Sequence, residues 1–302
     1  MSQYAIDKHI LLVDFHDFII GGSDTDTLQF LTVGTLVDAD FTNVETVEKL
    51  VLADGINSLT LGNEAYNGGN GVSTVVGGSG NDTIITYSND DQRGSLTLDL
   101  SAGGKDTLQI LNASIGGAGG ASVPATSAIN KATLNQTLAE WAATDATVTS
   151  RVGTDALTVS DFQVGDGGDQ IEFMDGASAV VIGGFANNVD LTFNNLAGLS
   201  NYSVIELNAN QFQQSDPYAL LSMATMMDQL NNVQDGNYYV VVYDGTSATS
   251  NAFIYAATAT EGDGFDFADV NGATNGNDLD TVELIGILTG VGANNVTSQN
   301  FI

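Results

Sequence analysis

The sequence predicts a mainly β protein, folded as a right-handed parallel β-helix or β-roll with two short helices and a C-terminal β-hairpin module. Two glycine-rich nonapeptides stand in direct tandem over residues 68–85, which is typical of a coiled parallel β structure. Elsewhere, short alternating runs of Val, Ile, Thr and Leu are broken by Gly, Asn and Asp, a pattern that indicates short strands and turns. With 302 residues, 43% of them hydrophobic, the chain is long enough to bury a sizeable core.

The tandem nonapeptides are Gly68–Val76, which reads GGNGVSTVV, and Gly77–Ile85, which reads GGSGNDTII. The second copy fits the pattern G-G-x-G-x-D-x-U-x at every fixed position, where U is a large apolar residue. Each unit provides one short strand and one turn, and its apolar residue points into a thin core. On these residues the chain resembles the RTX (repeats-in-toxin) family of secreted calcium-binding proteins, of the surface-layer or biofilm-matrix type. The resemblance implies a β-roll whose turns bind Ca²⁺.

Successive turns of such a roll fall on opposite sides, so turns on one side are expected eighteen residues apart, as Glu64 and Asp82 are. Ca²⁺ takes roughly six to eight oxygen ligands from carboxylates and backbone carbonyls. Glycine permits the close backbone approach that aims several carbonyls at one point. We therefore expect a calcium ion between Gly62 and Glu64 on one coil and Gly78, Gly80 and Asp82 on the next.

A second segment, at residues 165–187, follows the same eighteen-residue spacing. Gly165, Gly167 and Asp169 occupy motif positions, although Val164 replaces the first glycine. Eighteen residues later, Gly183 and Asn187 return to the same side, so we expect Asp169 and Asn187 to share an edge. Because Asn offers a neutral oxygen, this calcium site is expected to be the weaker of the two.

Degenerate copies add further candidate ligands. The segment Gly21–Leu28 keeps the leading glycines and the motif aspartate Asp26, but Asp24 stands where a glycine belongs. The segment Gly103–Leu108 keeps the motif aspartate as Asp106. The copies are scattered, which predicts a larger β-helix or β-roll with calcium at a few coils. The alternative is that all of these are ordinary Gly-Asn-Asp turns of a β protein.

The acidic amino-acid composition restricts the kinds of partner that the protein can bind. Six Lys and Arg against 37 Asp and Glu give a formal net charge of −31, which opposes a compact state through self-repulsion. Bound Ca²⁺ would relieve that repulsion and stabilise the fold; an acidic surface adapted to a salty habitat is the alternative. The charge argues against nucleic acid and against anionic lipid as partners. No apolar run is long enough for membrane insertion, and there is no cysteine.

The expected location is outside the cell or on its surface. The apolar stretch His9–Ile20 is interrupted by acidic residues and has neither a basic head nor a cleavage motif, so we expect export without an N-terminal signal peptide. Calcium-repeat proteins of this kind resemble type I secretion substrates, which carry an uncleaved C-terminal export signal. Residues 280–302 resemble such a tail.

The elements change in character along the chain. Helical spacing predicts a helix over Ser127–Ala143, which contains Trp141, and another that begins at Ser215–Pro217. The runs Tyr238–Tyr243 and Phe253–Ala257 predict a strand pair. These elements divide the chain into an RTX-like β-roll at 1–115, a Gly/Ala-rich break plus helix at 116–150, a second β-roll segment at 151–214, and a C-terminal helix and strand module with the tail at 215–302.

No catalytic constellation is recognisable, and neither a metalloprotease, a nucleophile elbow nor a phosphate-binding loop motif occurs. We therefore expect a secreted, non-enzymatic, calcium-binding structural protein that assembles with copies of itself as a surface-layer lattice or biofilm matrix filament. The alternative is a monomeric calcium-dependent adhesin that recognises a glycan, such as a cell-surface polysaccharide, or a host surface. Its contacts would be Trp141 or Tyr238, Tyr239 and Tyr243. A third reading is the secretion-targeting part of a larger enzyme.

Overall fold

The computed structural model describes most of the β-rich parts of the chain, namely residues 4–5, 18–66, 70–87, 96–111, 128–130, 157–175, 178–190, 196, 198–208, 230, 233–259 and 281–302. Several predicted features lie outside these residues. They are the helix beginning at Ser215–Pro217, the Gly/Ala-rich break at 116–123, Trp141 and both histidines.

The described residues form a mainly β structure rich in parallel strands. Its helical segments are α1 (Asn63–Tyr66) and 3₁₀ turns at Asp38–Phe41 and Ser298–Asn300. The strands, numbered along the chain, are β1 (Tyr4–Ala5), β2 (Ile19–Ile20), β3 (Thr27–Gln29), β4 (Thr35–Leu36), β5 (Val44–Glu45), β6 (Lys49–Val51), β7 (Ser58–Thr60), β8 (Thr74–Val76), β9 (Thr83–Tyr87), β10 (Thr97–Asp99), β11 (Thr107–Leu111), β12 (Ala128–Asn130), β13 (Leu157–Ser160), β14 (Gln170–Asp175), β15 (Ser178–Ala179), β16 (Phe185–Val189), β17 (Ser203–Leu207), β18 (Gly236–Tyr243), β19 (Ala252–Ala259) and β20 (Thr281–Thr289).

Two sheets share most of these strands. The small sheet has the order β15-β14-β11-β9-β7-β4, and the large sheet has the order β16-β17-β18-β19-β20-β13-β10-β8-β6-β3, with β12 paired to β20. The chain passes from a large-sheet strand to the next small-sheet strand at β3–β4, β6–β7, β8–β9, β10–β11 and β13–β14. A third sheet consists of β1, β2 and β5. We call one passage through both sheets a coil.

A coil is longer than the eighteen residues that the nonapeptide spacing predicts. In the large sheet Leu28 pairs with Leu50 and Leu50 with Val75, which are steps of 22 and 25 residues. The extra length forms another side of the coil, since β2 and β5 pair in parallel ahead of β3 and β6, and α1 lies between β7 and β8. The eighteen-residue prediction is therefore wrong, because nine-residue units account for only two sides of each coil.

The tandem nonapeptides do form one strand each. Val75 lies in β8 of the large sheet and Ile84 lies in β9 of the small sheet, and both side chains are buried. This confirms that the two copies place their apolar residues in the core from different sheets. The prediction succeeds here because alternation of apolar and polar residues is a local property of a strand.

The core between the sheets is built from inward-facing aliphatic residues. In the large sheet Leu28, Leu50, Val75, Leu98 and Val159 are each at most 1% exposed. They form one hydrophobic cluster with the corresponding small-sheet residues Leu59, Ile84, Leu108 and Ile171. Burial of each such side chain contributes roughly 1.5–3 kcal/mol, so stacking of identical faces stabilises every coil on its neighbours.

The C-terminal part extends the large sheet. The predicted strand pair is confirmed, since β18 and β19 pair antiparallel with Tyr238 opposite Ala257. Strand β20 then joins this pair to the coils, antiparallel to β19 and parallel to β13. The helix predicted over Ser127–Ala143 is wrong at its start, because Ala128–Asn130 is strand β12, paired with β20. Tertiary pairing overrides local helical spacing there.

Candidate functional site

A column of Asp and Asn side chains runs along one corner of the coils, and we call it the carboxylate ladder. Its members are Asn57, Asp82, Asp106, Asp169 and Asn300. The first four directly precede β7, β9, β11 and β14 of the small sheet. The last precedes Phe301, which forms a parallel bridge with β14. All five side chains are buried, because each lies where the chain turns inward to begin a small-sheet strand.

Hydrogen bonds connect each member of the ladder to the next coil. The backbone N–H of Asn57 donates to Oδ1 of Asp82, the N–H of Asp82 to Oδ1 of Asp106, and the N–H of Asp106 to Oδ1 of Asp169, each over 2.8 Å. Such a hydrogen bond is worth about 0.5–1.5 kcal/mol with a neutral acceptor and about 1.5–3 kcal/mol with an ionised one. The ladder therefore links adjacent coils through side chains, in addition to the backbone pairing of the sheets.

The second carboxylate oxygens stabilise the turns. The N–H of Gly78 donates to Oδ2 of Asp82 over 2.8 Å, and the N–H of Gln163 donates to Oδ2 of Asp169 over 2.7 Å. At the C-terminal end, Nδ2 of Asn300 donates to the backbone oxygen of Asp169 over 2.8 Å. In return, Oδ1 of Asn300 accepts from the N–H of Gly165 over 3.0 Å. The turns before β9 and β14 are thus closed by the side chains that also hold the neighbouring coils.

Burial changes the acidity of the central members. Desolvation raises the pKa of Asp106 from 3.8 to about 7; the hydrogen bond from the Asp82 N–H lowers it, and the charges of Asp169 and Asp82 raise it again. Desolvation also raises the pKa of Asp169, against the hydrogen bonds from Gln163 and Asp106 that lower it. The cause is general, since burial disfavours a charged carboxylate. The ladder therefore favours a proton at its centre near neutral pH.

The turns of adjacent coils touch backbone to backbone. A methyl group added at Gly80 would lie 2.5 Å from the carbonyl oxygen of Gly55, and one added at Gly104 would lie 2.2 Å from that of Gly80. Glycine is needed here for close packing of one turn on the next. The ladder oxygens accept from N–H donors. Adjacent turns pack too closely to leave a space surrounded by several oxygens, which Ca²⁺ requires. The ladder as arranged does not fit a calcium ion.

The predicted site between Glu64 and Asp82 is not formed. Because Ser58 of β7 pairs with Thr83 of β9, Asp82 lies at the beginning of the strands. Gly62 and Glu64 follow the end of β7 instead, where their N–H groups donate to the carboxylate of Asp38. The two halves of the predicted site therefore lie at opposite ends of the small-sheet strands. Gly78 and Gly80 stay with Asp82 as turn residues.

The predicted edge shared by Asp169 and Asn187 is also wrong. Asp169 precedes β14 of the small sheet, whereas Asn187 is exposed in β16 of the large sheet. Gly183 precedes β16 and its carbonyl accepts from the hydroxyl of Ser200. Gly165 and Gly167 remain beside Asp169, in the turn before β14, with φ of +90° and +81°. The error follows from the assumed eighteen-residue coil.

The degenerate copies divide between two environments. Asp106 belongs to the ladder, as described. Asp26 precedes β3 of the large sheet and is buried, and Asp24, two residues earlier, is exposed. The same phrase, Asp-Thr-Leu, thus begins a small-sheet strand at Asp106 and a large-sheet strand at Asp26.

Sequence reasoning missed the two asparagines that end the ladder. A usable signal exists, because Asn57-Ser58-Leu59 has the same form as Asp82-Thr83-Ile84, an Asx residue two positions before a buried aliphatic one. Asn300 carries a weaker version of this signal. The nonapeptide motif matches neither of them, because neither asparagine follows a run of glycines.

Within the described ranges, no three or more His, Cys, Asp or Glu side chains converge as a metal-binding group. No helix in that part of the chain has the length and apolar character needed to cross a membrane. The sequence matches no family model, and neither the curated proteins nor the solved structures contain a match to it.

Proposed function

We propose that this chain is a non-enzymatic structural protein that acts outside the cell and associates end to end with further copies of itself. The parallel strands would belong to a right-handed β-helix, the hand that parallel crossover connections take in nearly all proteins. The carboxylate ladder would then serve as its internal brace, and the ends of the stack would be its interaction surfaces.

The observation that carries this proposal is where apolar side chains are exposed. In the described residues, the large hydrophobic side chains with high exposure lie in the first two coils or beyond the last one, and the intervening coils at β8–β11 have none. We take this grouping of exposed apolar side chains toward the two ends as the basis for contacts there. Those side chains are Phe18, Leu31, Val33, Val37 and Ile56 in the first two coils, and Val181 and Ile302 beyond the last one.

Strand direction supports a second copy as the occupant. The large sheet ends at β3 on one side and at β16 on the other. Following the pairing from strand to strand, β16 has the same direction as β3, and only β19 between them is reversed. A further copy placed end to end would therefore continue the sheet by parallel pairing, and a contact between two different surfaces extends into an open filament.

The net charge of −31 would oppose this association unless salt or bound cations reduce the repulsion. We propose Ca²⁺, abundant outside cells, as the cation that does so. The adhesin alternative loses part of its support, because Tyr238, Tyr239 and Tyr243 are buried and offer no exposed aromatic platform.

The test is sedimentation velocity and negative-stain microscopy of the purified chain over a wide concentration range, with and without Ca²⁺. Leu31→Lys and Val181→Lys each place a charge at one end, since Leu31 follows β3 of the first coil and is exposed. Ser79→Lys places the same charge at an exposed corner of a middle coil. We expect both end variants to remain monomeric and Ser79→Lys to assemble like the parent chain.

An equimolar mixture of the two end variants provides a sharper result. Each variant keeps one intact end, so head-to-tail association predicts a dimer that cannot extend, whereas a side-by-side contact predicts no recovery. A parent chain that stays monomeric under all conditions would refute self-association and favour the adhesin.

A further inference from the structure

The corner that precedes β3 brings residues 21–26 against residues 45–48 of the next coil. The N–H of Gly21 donates to the carbonyl of Glu45 over 2.9 Å, and the N–H of Lys49 donates to the carbonyl of Asp26 over 3.1 Å. The N–H of Asp26 donates to Oε2 of Glu48 over 2.9 Å. Backbone contacts on both sides therefore hold the two acidic side chains in neighbouring positions.

Among the described residues, two buried oxygens at this corner have no hydrogen-bond partner. They are Oδ2 of Asp26 and Oγ1 of Thr46. The side chain of Asp26 is only 8% exposed, and an unpaired buried carboxylate oxygen carries a desolvation cost of several kcal/mol. Native proteins satisfy such groups in nearly every case, so a bound species is needed to complete the site.

Oxygens from the two coils converge on Gly21. A methyl group added at Gly21 would lie 1.9 Å from the carbonyl oxygen of Thr46 and 2.6 Å from Oδ2 of Asp26, so these oxygens are at most 4.5 Å apart. Oxygens that share a calcium ion at 2.3–2.6 Å each are separated by less than about 5 Å. Any side chain at position 21 would overlap both oxygens, so the close approach of the two coils requires glycine here.

Thr46 has a strained backbone. Its φ is +53°, a left-handed conformation that is a genuine outlier for a β-branched residue. Strain of this kind costs roughly 1–3 kcal/mol and persists where the surroundings demand it. In this conformation the carbonyl and the hydroxyl of Thr46 both lie at the corner.

Asp26 differs from the aspartates of the carboxylate ladder in the donors that its carboxylate receives. Asp82 and Asp169 accept N–H donors on both carboxylate oxygens. Asp26 has the same sequence context as Asp106 but begins a strand of the other sheet, where Oδ2 receives no donor from the residues that the structure describes.

We infer that this corner is a binding site for one hard divalent cation, best matched by Ca²⁺. Its ligands are Oδ2 of Asp26, Oγ1 and the carbonyl oxygen of Thr46, and the carboxylate of Glu48, with water completing the coordination. Neighbouring Gly22, Ser23 and Asp24 are exposed, which leaves the corner open to solvent. The inference is independent of self-association.

Calcium titration calorimetry of the metal-free full chain tests it, with the number of bound ions as the readout. Asp26→Asn and Thr46→Ala are each expected to lose one bound ion. Thr46→Ser retains the hydroxyl and Asp24→Asn removes an exposed charge from the same turn, so both are expected to keep the parental number.

The site is refuted if Asp26→Asn and Thr46→Ala bind as many ions as the parent, a result that would leave only water at the corner. It is equally refuted if Asp24→Asn loses as much binding as Asp26→Asn, since that would indicate a diffuse charge effect. Thr46→Ala guards against misfolding of the aspartate variant, because removing a β-branched side chain at positive φ relieves strain. Circular dichroism without calcium checks that each variant is folded.

Discussion

Substitution of Asp106 by Asn should change how the stability of this protein depends on pH. Asp106 lies at the centre of the carboxylate ladder, is 2% exposed, and is flanked by Asp82 and Asp169. Burial raises its pKa from 3.8 to about 7. Asn keeps an oxygen that accepts from the Asp82 N–H but has no proton to lose, so the variant isolates the effect of ionisation.

The magnitude follows from the shift. One pKa unit corresponds to about 1.4 kcal/mol, so a rise from 3.8 to about 7 corresponds to roughly 4 kcal/mol. Because the folded-state pKa of Asp106 lies above the unfolded one, protonation of this carboxyl favours the folded state. This contribution to the free energy of unfolding is fully present below the unfolded pKa and is lost as pH rises through the folded pKa. Asp106 alone should thus reduce the free energy of unfolding by about 4 kcal/mol between about pH 4 and pH 7.

The assay is urea unfolding of both proteins at several pH values from about 4 to about 8, with a chelator present to exclude metal effects. We expect the difference in unfolding free energy, variant minus parent, to be about 4 kcal/mol more favourable at the alkaline end than at the acid end. Asp161→Asn is the matched control, because Asp161 is exposed and its φ of +59° suits Asn. It removes one charge without touching the ladder.

Parallel stability curves for the parent and Asp106→Asn would refute this reasoning. They would mean that Asp106 is ionised in the folded protein across the whole range, and that the N–H donor and its surroundings compensate for burial. A difference that also occurs in Asp161→Asn would point to net charge instead of the ladder.

Three further predictions concern packing, the core and the end of the ladder, each measured by urea unfolding at one pH. Gly80→Ala should destabilise by roughly 1–3 kcal/mol because its methyl group overlaps the next turn, whereas Gly34→Ala, with open space around it, should not. Leu59→Ala should cost about 2–5 kcal/mol because the residue is fully buried, whereas Ile56→Ala, at 71% exposure, should change stability by under about 0.5 kcal/mol. Asn300→Asp should cost about 1–3 kcal/mol, because it replaces a buried donor by an acceptor; equal stability to the parent would contradict the assigned hydrogen bonds.

The strands could be predicted from the sequence, but the coil could not. Alternation in the tandem nonapeptides correctly places Val75 and Ile84 in the core. The side of the coil that contains α1 has no repeat, so nothing in the spacing indicates a step of 25 residues from Leu59 to Ile84. The predicted partnership of Glu64 with Asp82 was wrong for this reason, since a site that joins two coils depends on coil length.

The different roles of the aspartates could not be predicted from the local sequence either. Asp26 and Asp106 are each followed by Thr and Leu, and nothing in either phrase indicates which sheet the strand joins. The sheet decides whether an N–H of the adjacent coil reaches the carboxylate, as at Asp106, or leaves an oxygen unpartnered, as at Asp26. The ladder and the proposed ion site therefore share one sequence signature, and only tertiary structure separates them.

The amide residues at both ends explain why the ladder stops where it does. An internal member needs only to accept, because the preceding coil supplies an N–H, and Asp suffices. At the first end, Nδ2 of Asn57 donates to the carbonyls of Ala53 and Gly55 and to Asp82. At the other end, the amide of Asn300 donates to backbone carbonyls. A carboxylate could satisfy none of these acceptors and would add a buried charge.

Neutral ends also limit the number of adjacent buried carboxylates to the three at Asp82, Asp106 and Asp169. Each additional carboxylate would be desolvated and would repel its neighbours, as Asp82 and Asp169 already do to Asp106. The ladder is thus finite, and the coils at its two ends are those that expose apolar side chains such as Ile56 and Val181. Because the brace is satisfied within one chain, contact between chains would depend on the exposed ends. Loss of assembly in an end variant should therefore leave the stability of the monomer unchanged.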